Sequence, residues 1–313
     1  MISHIIMHYN RPWLLKTHID LIRKYSPSIS QIVVADDGSD DSVIKYIKKL
    51  PIDNLYVQKN HSAIWDKNSS SNTFISAVEM CKHAYISFSE DDFFLWPSGI
   101  DDSSFYNNGE YPSDLLVDGP DPFADSVHLF SIKGTVMVQP SRDSTGWKGV
   151  PVTDVCSSGV IKWNKIDHAK KKTFYYSNWP WIMRSSFLKC IDIPKDIGMW
   201  GLESSMNKIL TKKFKNIDFN WCADKRRFVH VGLPFSHKDM RYKEKTDKAQ
   251  IRNDQSKSFV LSLENQIDFS NINGFNKKFL RLWLKNNVDI SISELQTIGI
   301  KKSFESFAKK VLL

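Results

Sequence analysis

The 313-residue chain predicts an α/β fold, a mostly parallel sheet sandwiched by helices, and three observations carry that prediction. Short, continuously apolar runs alternate with stretches of three-to-four apolar periodicity, the pattern of strand and helix in a doubly wound sheet. Ile32–Val33–Val34–Ala35 is continuous rather than alternating, as strands covered on both faces are. Each of the first runs also stops at a polar cluster, and one of these, Glu90–Asp91–Asp92, holds three adjacent carboxylates. Ligands of open parallel sheets bind beyond the carboxyl ends of the strands.

Ser3–His8 reads as a buried first strand with Ile5, Ile6 and Met7 at its centre, bounded by Asn10–Arg11–Pro12. Pro12 opens a helix whose Leu14, Leu15, His18, Ile19, Leu21 and Ile22 recur on one face until Ser26–Pro27 ends it. Ile32–Ala35 is a second strand and ends at Asp36–Asp37–Gly38–Ser39–Asp40–Asp41. There Gly38 permits a sharp turn, and Ser39 or Asp40 can cap a helix carrying Val43, Ile44, Ile47 and Leu50. Leu55–Gln58 is a third strand. A polar loop, Asn60–Ser71, leads to a helix through Phe74, Ile75, Val78 and Met80, and the strand Ala84–Phe88 then delivers the carboxylates. Tyr9–Arg11, Asp36–Asp37 and Glu90–Asp92 are thereby expected along one edge.

Pro97–Asp125 loses periodicity and reads as a long surface loop over that edge. Val127–Ile132 and Thr135–Val138 look like strands, and Ser141–Ser158 is polar with Trp147 inside it. The aromatic residues Phe174, Tyr175, Tyr176 and Trp179, between Trp163 and Trp181, fit either a core or a stacking platform for sugar rings. Gly198–Met199–Trp200–Gly201 forms a turn that places Glu203 near the start of a helix through Met206, Ile209 and Leu210, where the helix dipole favours a carboxylate. Phe228–His237 reads as a last strand holding His230, with His237 in the following loop. Lys238–Lys257 is highly charged, a connection to helical patterns at Phe279–Leu284 and Ile300–Leu313. The last is basic and amphipathic, which suits a membrane surface, a partner groove or packing on the preceding domain.

Charge and composition exclude several functions. Residues 1–150 hold 13 Lys+Arg against 19 Asp+Glu, and the remainder 30 against 16, so the acidic first half is a poor nucleic-acid surface. Four cysteines without CxxC spacing fit reduced thiols of a cytoplasmic protein. No eighteen-residue apolar stretch spans a bilayer, and Met1–His8 lacks the basic lead of a secretory leader. Three adjacent carboxylates repel one another, so they fit a divalent cation; an acidic turn after a buried strand is the plain alternative. No G-x-x-x-x-G-K-[ST] phosphate loop occurs.

In order and spacing, Tyr9-Asn10-Arg11-Pro12, Val34-Ala35-Asp36-Asp37-Gly38-Ser39-Asp40-Asp41, Ser89-Glu90-Asp91-Asp92 and Trp200-Gly201-Leu202-Glu203 resemble the GT-A fold glycosyltransferases, particularly family 2. The resemblance covers about residues 1–240 and implies a Rossmann-like catalytic domain. Its nucleotide-binding half would be 1–96 and its acceptor-binding half 97–240, with 241–313 a helical basic C-terminal extension. It further implies that Tyr9, Asn10, Arg11, Asp36, Asp37 and Asn72 hold the nucleotide, and that Asp91 meets the donor sugar. Asp92 would be the principal ligand of Mn2+ or Mg2+, with Glu90 helping from a position where the family has Asp. Glu203 would be the general base, and His230 would complete the metal site, with His237 in reserve. The activity so implied is inverting transfer from a nucleotide sugar, UDP-linked, to a glycan or glycolipid acceptor of surface or extracellular polysaccharide. It would run in the cytoplasm, on the inner face of the membrane if the last helix binds there. A sugar-phosphate nucleotidyltransferase shares the layered plan but opens with a glycine-rich basic loop that His8–Trp13 lacks; a catalytically inactive sugar-binding module would not need both Asp92 and Glu203.

Overall fold

The computed structural model describes residues 1–9, 12–39, 41–59, 70–100, 119–141, 152–157, 160–166, 176, 178–213 and 219–230. The chain begins β1 (Ile2–His8), α1 (Pro12–Tyr25), β2 (Ile29–Asp36), α2 (Asp41–Ile47), β3 (Asn54–Val57), α3 (Ser70–Met80), β4 (Tyr85–Glu90) and β5 (Phe93–Ile100). It continues with α4 (Pro122–Val127), a 3-10 turn (His128–Ser131), β6 (Thr135–Gln139), β7 (Val152–Ser157), β8 (Lys162–Ile166) and β9 (Trp181–Arg184). Last come α5 (Ser185–Lys189), α6 (Met199–Lys213), β10 (Phe219–Ala223) and β11 (Arg226–His230).

Nine strands form one sheet in the order β3-β2-β1-β4-β9-β6-β10-β8-β7, and β11 and β5 form a second, two-stranded sheet. β1 pairs in parallel with β2 and β4, and β2 with β3. β9 is antiparallel to both β4 and β6, β10 is parallel to β6, and β8 is antiparallel to β10 and β7. Seven of the nine strands therefore run the same way, and only β8 and β9 are reversed. The predicted α/β plan with a mostly parallel sheet is the plan observed.

Alternation along β1 sends its residues to two apolar layers. Ile2 and Ile6 pack with Leu15, Ile19 and Ile22 of α1 and Val43 and Ile47 of α2. Ile5 and Met7 pack on the opposite face with Phe74, Ala77 and Val78 of α3 and Leu202, Met206 and Leu210 of α6. All seven residues of β1 are buried, which is why that run carries no polar alternation. Trp181 stacks on Phe88 with centroids 5.3 Å apart and meets the edge of Phe74 at 6.2 Å, so this part of the aromatic-rich stretch is core. Each such ring contributes roughly 1.5–3 kcal/mol of burial.

Two readings need correction. Val127–Ile132 is no strand: it spans the end of α4 and the 3-10 turn. Asp121 caps α4 by accepting from the Phe123 and Ala124 amides, and Pro122 occupies the first helical position. Pro97 lies inside β5 rather than in a loop, an allowed place for proline because β5 belongs to a two-stranded sheet. β7, β8, β9 and β10 have no counterpart in the predicted elements. Residues 241–313, with the expected helical extension, lie outside the described residues, as do Trp147, Phe174 and Tyr175. No described helix is long and apolar enough to cross a membrane.

Candidate active site

Register brings the polar ends of three strands together. His8 lies opposite Asp36, and Met7 opposite Glu90. The pairing runs one step further on both sides, since the Asp37 amide donates to the His8 carbonyl at 2.9 Å and the Asp91 amide to the Met7 carbonyl at 3.0 Å. Between them lies the His8 ring, with Nδ1 2.7 Å from Asp36 Oδ2 and Nε2 3.9 Å from Asp91 Oδ2. All three side chains are buried. A carboxylate only accepts, so the proton on Nδ1 faces Asp36.

The Asp-Asp-Gly-Ser turn is organised by its first carboxylate. Asp36 Oδ1 accepts from the Gly38 and Ser39 amides at 3.0 and 2.7 Å, and Ser39 Oγ donates to Oδ2 at 2.6 Å. Gly38 has φ of 87°, the left-handed conformation the turn was expected to need. Asp37 points the other way, to the start of α3, where Ser70 Oγ and Thr73 Oγ1 donate to its two oxygens at 2.7 and 2.9 Å. Asn72 has both ends of its amide on Asp196: Nδ2 donates to Oδ1 at 2.7 Å, and Oδ1 accepts from the Asp196 amide at 3.1 Å. Tyr9 follows β1 directly and is half-buried; Asn10, Arg11 and His237 lie outside the described residues.

Asp91 and Asp92, both buried, make the turn between β4 and β5, while Glu90 at the strand end is half-buried. β11 pairs with β5 so that His230 lies opposite Phe93, one residue beyond Asp92. Glu203 sits in the second turn of α6, a turn deeper than its sequence context suggested. One residue ties it to the carboxylate cluster. Burial pushes the Tyr176 hydroxyl well above the usual tyrosine range; the Trp181 indole opposes this, and the charges of Glu203 and Glu90 both add to it. Glu203 and Glu90 therefore bear on the same buried ring from α6 and β4. Asn207 fixes that ring's backbone to α6, accepting from the Tyr176 amide at 2.6 Å and donating to its carbonyl at 2.7 Å.

A buried histidine pair behind the cluster was missed. His4 of β1 and His18 of α1 stack with centroids 5.4 Å apart and planes 4° from parallel. His4 Nδ1 lies 2.7 Å from Ser87 Oγ, and Ser89 Oγ lies 3.1 and 3.0 Å from the Nε2 atoms of His4 and His18. Burial lowers the His18 pKa to about 4, against the opposing effects of the Phe93 backbone and the charge of Asp92. His4 is also lowered, by burial first and the neighbouring His18 second. The signal was present in the alternation of β1, where His4 and His8 share a face.

Among the described residues no group of three His, Cys, Asp or Glu side chains is arranged to hold a metal ion. The site is thus an acidic cluster at the carboxyl edge of an α/β sheet.

The sequence matches no protein-family model and no curated protein. Solved structures similar in shape include the mannosyltransferase PcManGT from Pyrobaculum calidifontis in complex with GDP-Man and Mn2+. It is 10% identical, with a TM-score of 0.45 over 98% of this chain and 83% of that one. Glucosyl-3-phosphoglycerate synthase from Mycobacterium tuberculosis, in complex with Mn2+, UDP and phosphoglyceric acid, is 11% identical, with a TM-score of 0.45 over 86% and 80%. S. aureus TarS 1-349 in complex with UDP-GlcNAc is 14% identical, with a TM-score of 0.45 over 95% and 78%. Similarity at this level does not assign the reaction or residues of this chain.

Proposed function

We propose that the chain is an inverting, metal-dependent GT-A glycosyltransferase that moves a sugar from a nucleotide donor, UDP-linked, to a glycan or glycolipid acceptor in surface or extracellular polysaccharide synthesis. The observation that carries this is the register that brings the Asp36–Asp37 turn and the Glu90–Asp92 cluster to the carboxyl ends of the strands on either side of β1; the charges of Glu203 and Glu90, which both act on the buried Tyr176 hydroxyl, support it.

Asp92, with Glu90 beside it and the backbone of His230 opposite the next residue, would hold Mn2+ or Mg2+. One or two carboxylates suffice for such an ion, because substrate phosphates and water fill the remaining positions. This agrees with the lack of a three-ligand cage among the described residues. Bound there, such a cation would supply charge neutralisation to the departing diphosphate. The chain's own groups do the rest. Tyr9, Asn10, Arg11 and the turn built on Asp36 and Asp37 receive the nucleoside, Asp91 orients the donor sugar, and Glu203 takes the acceptor hydroxyl's proton. A positioned base of this kind contributes about 10²–10⁴-fold. Attack in one step from the side opposite the leaving group inverts the anomeric centre. The basic pattern of residues 300–313 supports work on the cytoplasmic face of an anionic membrane.

Thermal-shift screening of UDP- and GDP-sugars with and without Mn2+ tests this, followed by nucleotide release from the best binder. Stabilisation that requires the metal is expected; no shift from any nucleotide sugar would remove the reading.

A further inference from the structure

The first turn of α3 holds two loops at once. Ser70 and Thr73 grip Asp37 of the β2 loop. The two residues between them, Ser71 and Asn72, grip the loop that opens α6. The Ser71 amide donates to the Ile197 carbonyl at 3.0 Å, and the Ile197 amide donates to Ser71 Oγ at 3.1 Å. Asn72 and Asp196 close the second ring of hydrogen bonds described above.

The gripped loop also packs Ile197 and Met199 against the core. Asp196, with φ of 58°, is the only described non-glycine residue in the left-handed region, a conformation that is costly unless its surroundings hold it. Gly198 accepts the first helical bond, from the Leu202 amide at 2.9 Å, and so occupies the cap position without a side chain to cap with. Ile197 folds back onto the first turn: a Cβ at Gly201 would stand 3.3 Å from Ile197 Cβ. From the other side, Asn178 Nδ2 donates to the Met199 carbonyl at 3.2 Å. Glu203 follows one residue after Leu202.

We propose that Asn72 and Asp196 are positioning residues. Resting on the glycosyltransferase reading, their joint ties the donor-side loop at Asp37 to the helix that carries Glu203, so that the base is set relative to the donor. Asn72 then acts through Asp196 rather than by touching the nucleotide.

Hydrogen exchange read by mass spectrometry on the full chain tests the joint. Asn72→Ala suits a first helical turn and is expected to speed exchange of the Asp196–Leu202 amides about fivefold, the worth of one hydrogen-bonded pair. Asp196→Asn keeps an acceptor in place and tolerates the left-handed backbone, so it should stay within about twofold of wild type. In parallel, release of nucleoside diphosphate from UDP- and GDP-hexoses with Mn2+ should show kcat lowered and KM unchanged in Asn72→Ala, with recovery in Asp196→Asn. Unchanged exchange in Asn72→Ala overturns the joint. Faster exchange with unaltered kcat overturns its role in setting Glu203. A wild-type chain that releases no nucleotide removes the glycosyltransferase reading instead, and the exchange rates then decide the joint by themselves.

Discussion

His8 Nδ1 lies 2.7 Å from Asp36 Oδ2, and the far nitrogen of the same ring faces Asp91 Oδ2 at 3.9 Å. One buried imidazole thus stands between the turn that follows β2 and the acidic cluster that follows β4. Removing it leaves the buried Asp36 carboxylate without that hydrogen-bond donor, a change that typically costs about 1–3 kcal/mol. His8→Phe should lower the unfolding free energy by about 3 kcal/mol, and His8→Asn, which retains a donor, by about 1 kcal/mol. Urea titration of the two variants gives the comparison. Equal small losses would mean that the ring does no more than fill space.

Asp92→Asn should reduce Mn2+-dependent transfer by at least about 10²-fold, because the group that holds the cation at the leaving diphosphate is neutralised while its shape is kept. The side chain is 5% exposed, and losing a buried charge should leave the melting temperature unchanged or raised. Turnover across a Mn2+ series, beside a thermal melt, separates the two effects. Full activity in a folded variant would end the assignment of Asp92 to the metal.

The first half of the sheet was legible because most of its strands are central and parallel. Ile5–Met7 and Ile32–Ala35 are covered on both faces, so each declares itself as an apolar run. The second half was not. β8 reads Lys-Trp-Asn-Lys-Ile, with only Trp163 and Ile166 buried, and β9 inserts between β4 and β6 from far along the chain. Four or five residues with two apolar positions carry no periodicity to detect. At Val127–Ile132 the apolar spacing outweighed a better clue, Asp121–Pro122, which is a helix start. The meeting of Asp36–Asp37 and Glu90–Asp92 along one edge followed from strand order, whereas the place of the His8 ring between Asp36 and Asp91 was not read from the sequence. The grip of Asn72 on Asp196 joins residues 124 apart in sequence, and no local pattern announces it.

Glu203→Gln should lose transfer by about 10²–10⁴-fold while nucleotide-sugar affinity stays within about twofold, because the amide keeps the size of the side chain and removes only its basicity. Its backbone carbonyl, which accepts from Asn207 Nδ2 at 2.9 Å, is untouched, so α6 and Tyr176 should hold their places. Calorimetric binding of the donor beside single-turnover transfer makes the distinction. Loss of affinity in step with rate would make Glu203 part of the donor pocket instead of the base.

The buried histidines predict an acid-labile fold. Burial holds His18 near a pKa of about 4 and His4 well below 6.5, so both are neutral in the folded chain at neutral pH. On unfolding, each ring returns to an ordinary value near 6.5. As pH falls, the unfolded chain therefore takes up protons first. The contribution of His18 is complete above about pH 6.5 and is lost progressively between about 6.5 and 4, and that of His4 falls in the same direction. From pH 7.5 to 5.0 His18 should subtract about 2 kcal/mol from the unfolding free energy, and His4 adds a loss of the same sign. Urea midpoints at the two pH values measure the total. His18→Asn isolates one share, since a side chain that does not titrate should flatten the pH dependence by that amount. An equal fall in wild type and variant would show that carboxylates, not the His4–His18 stack, set the acid limit.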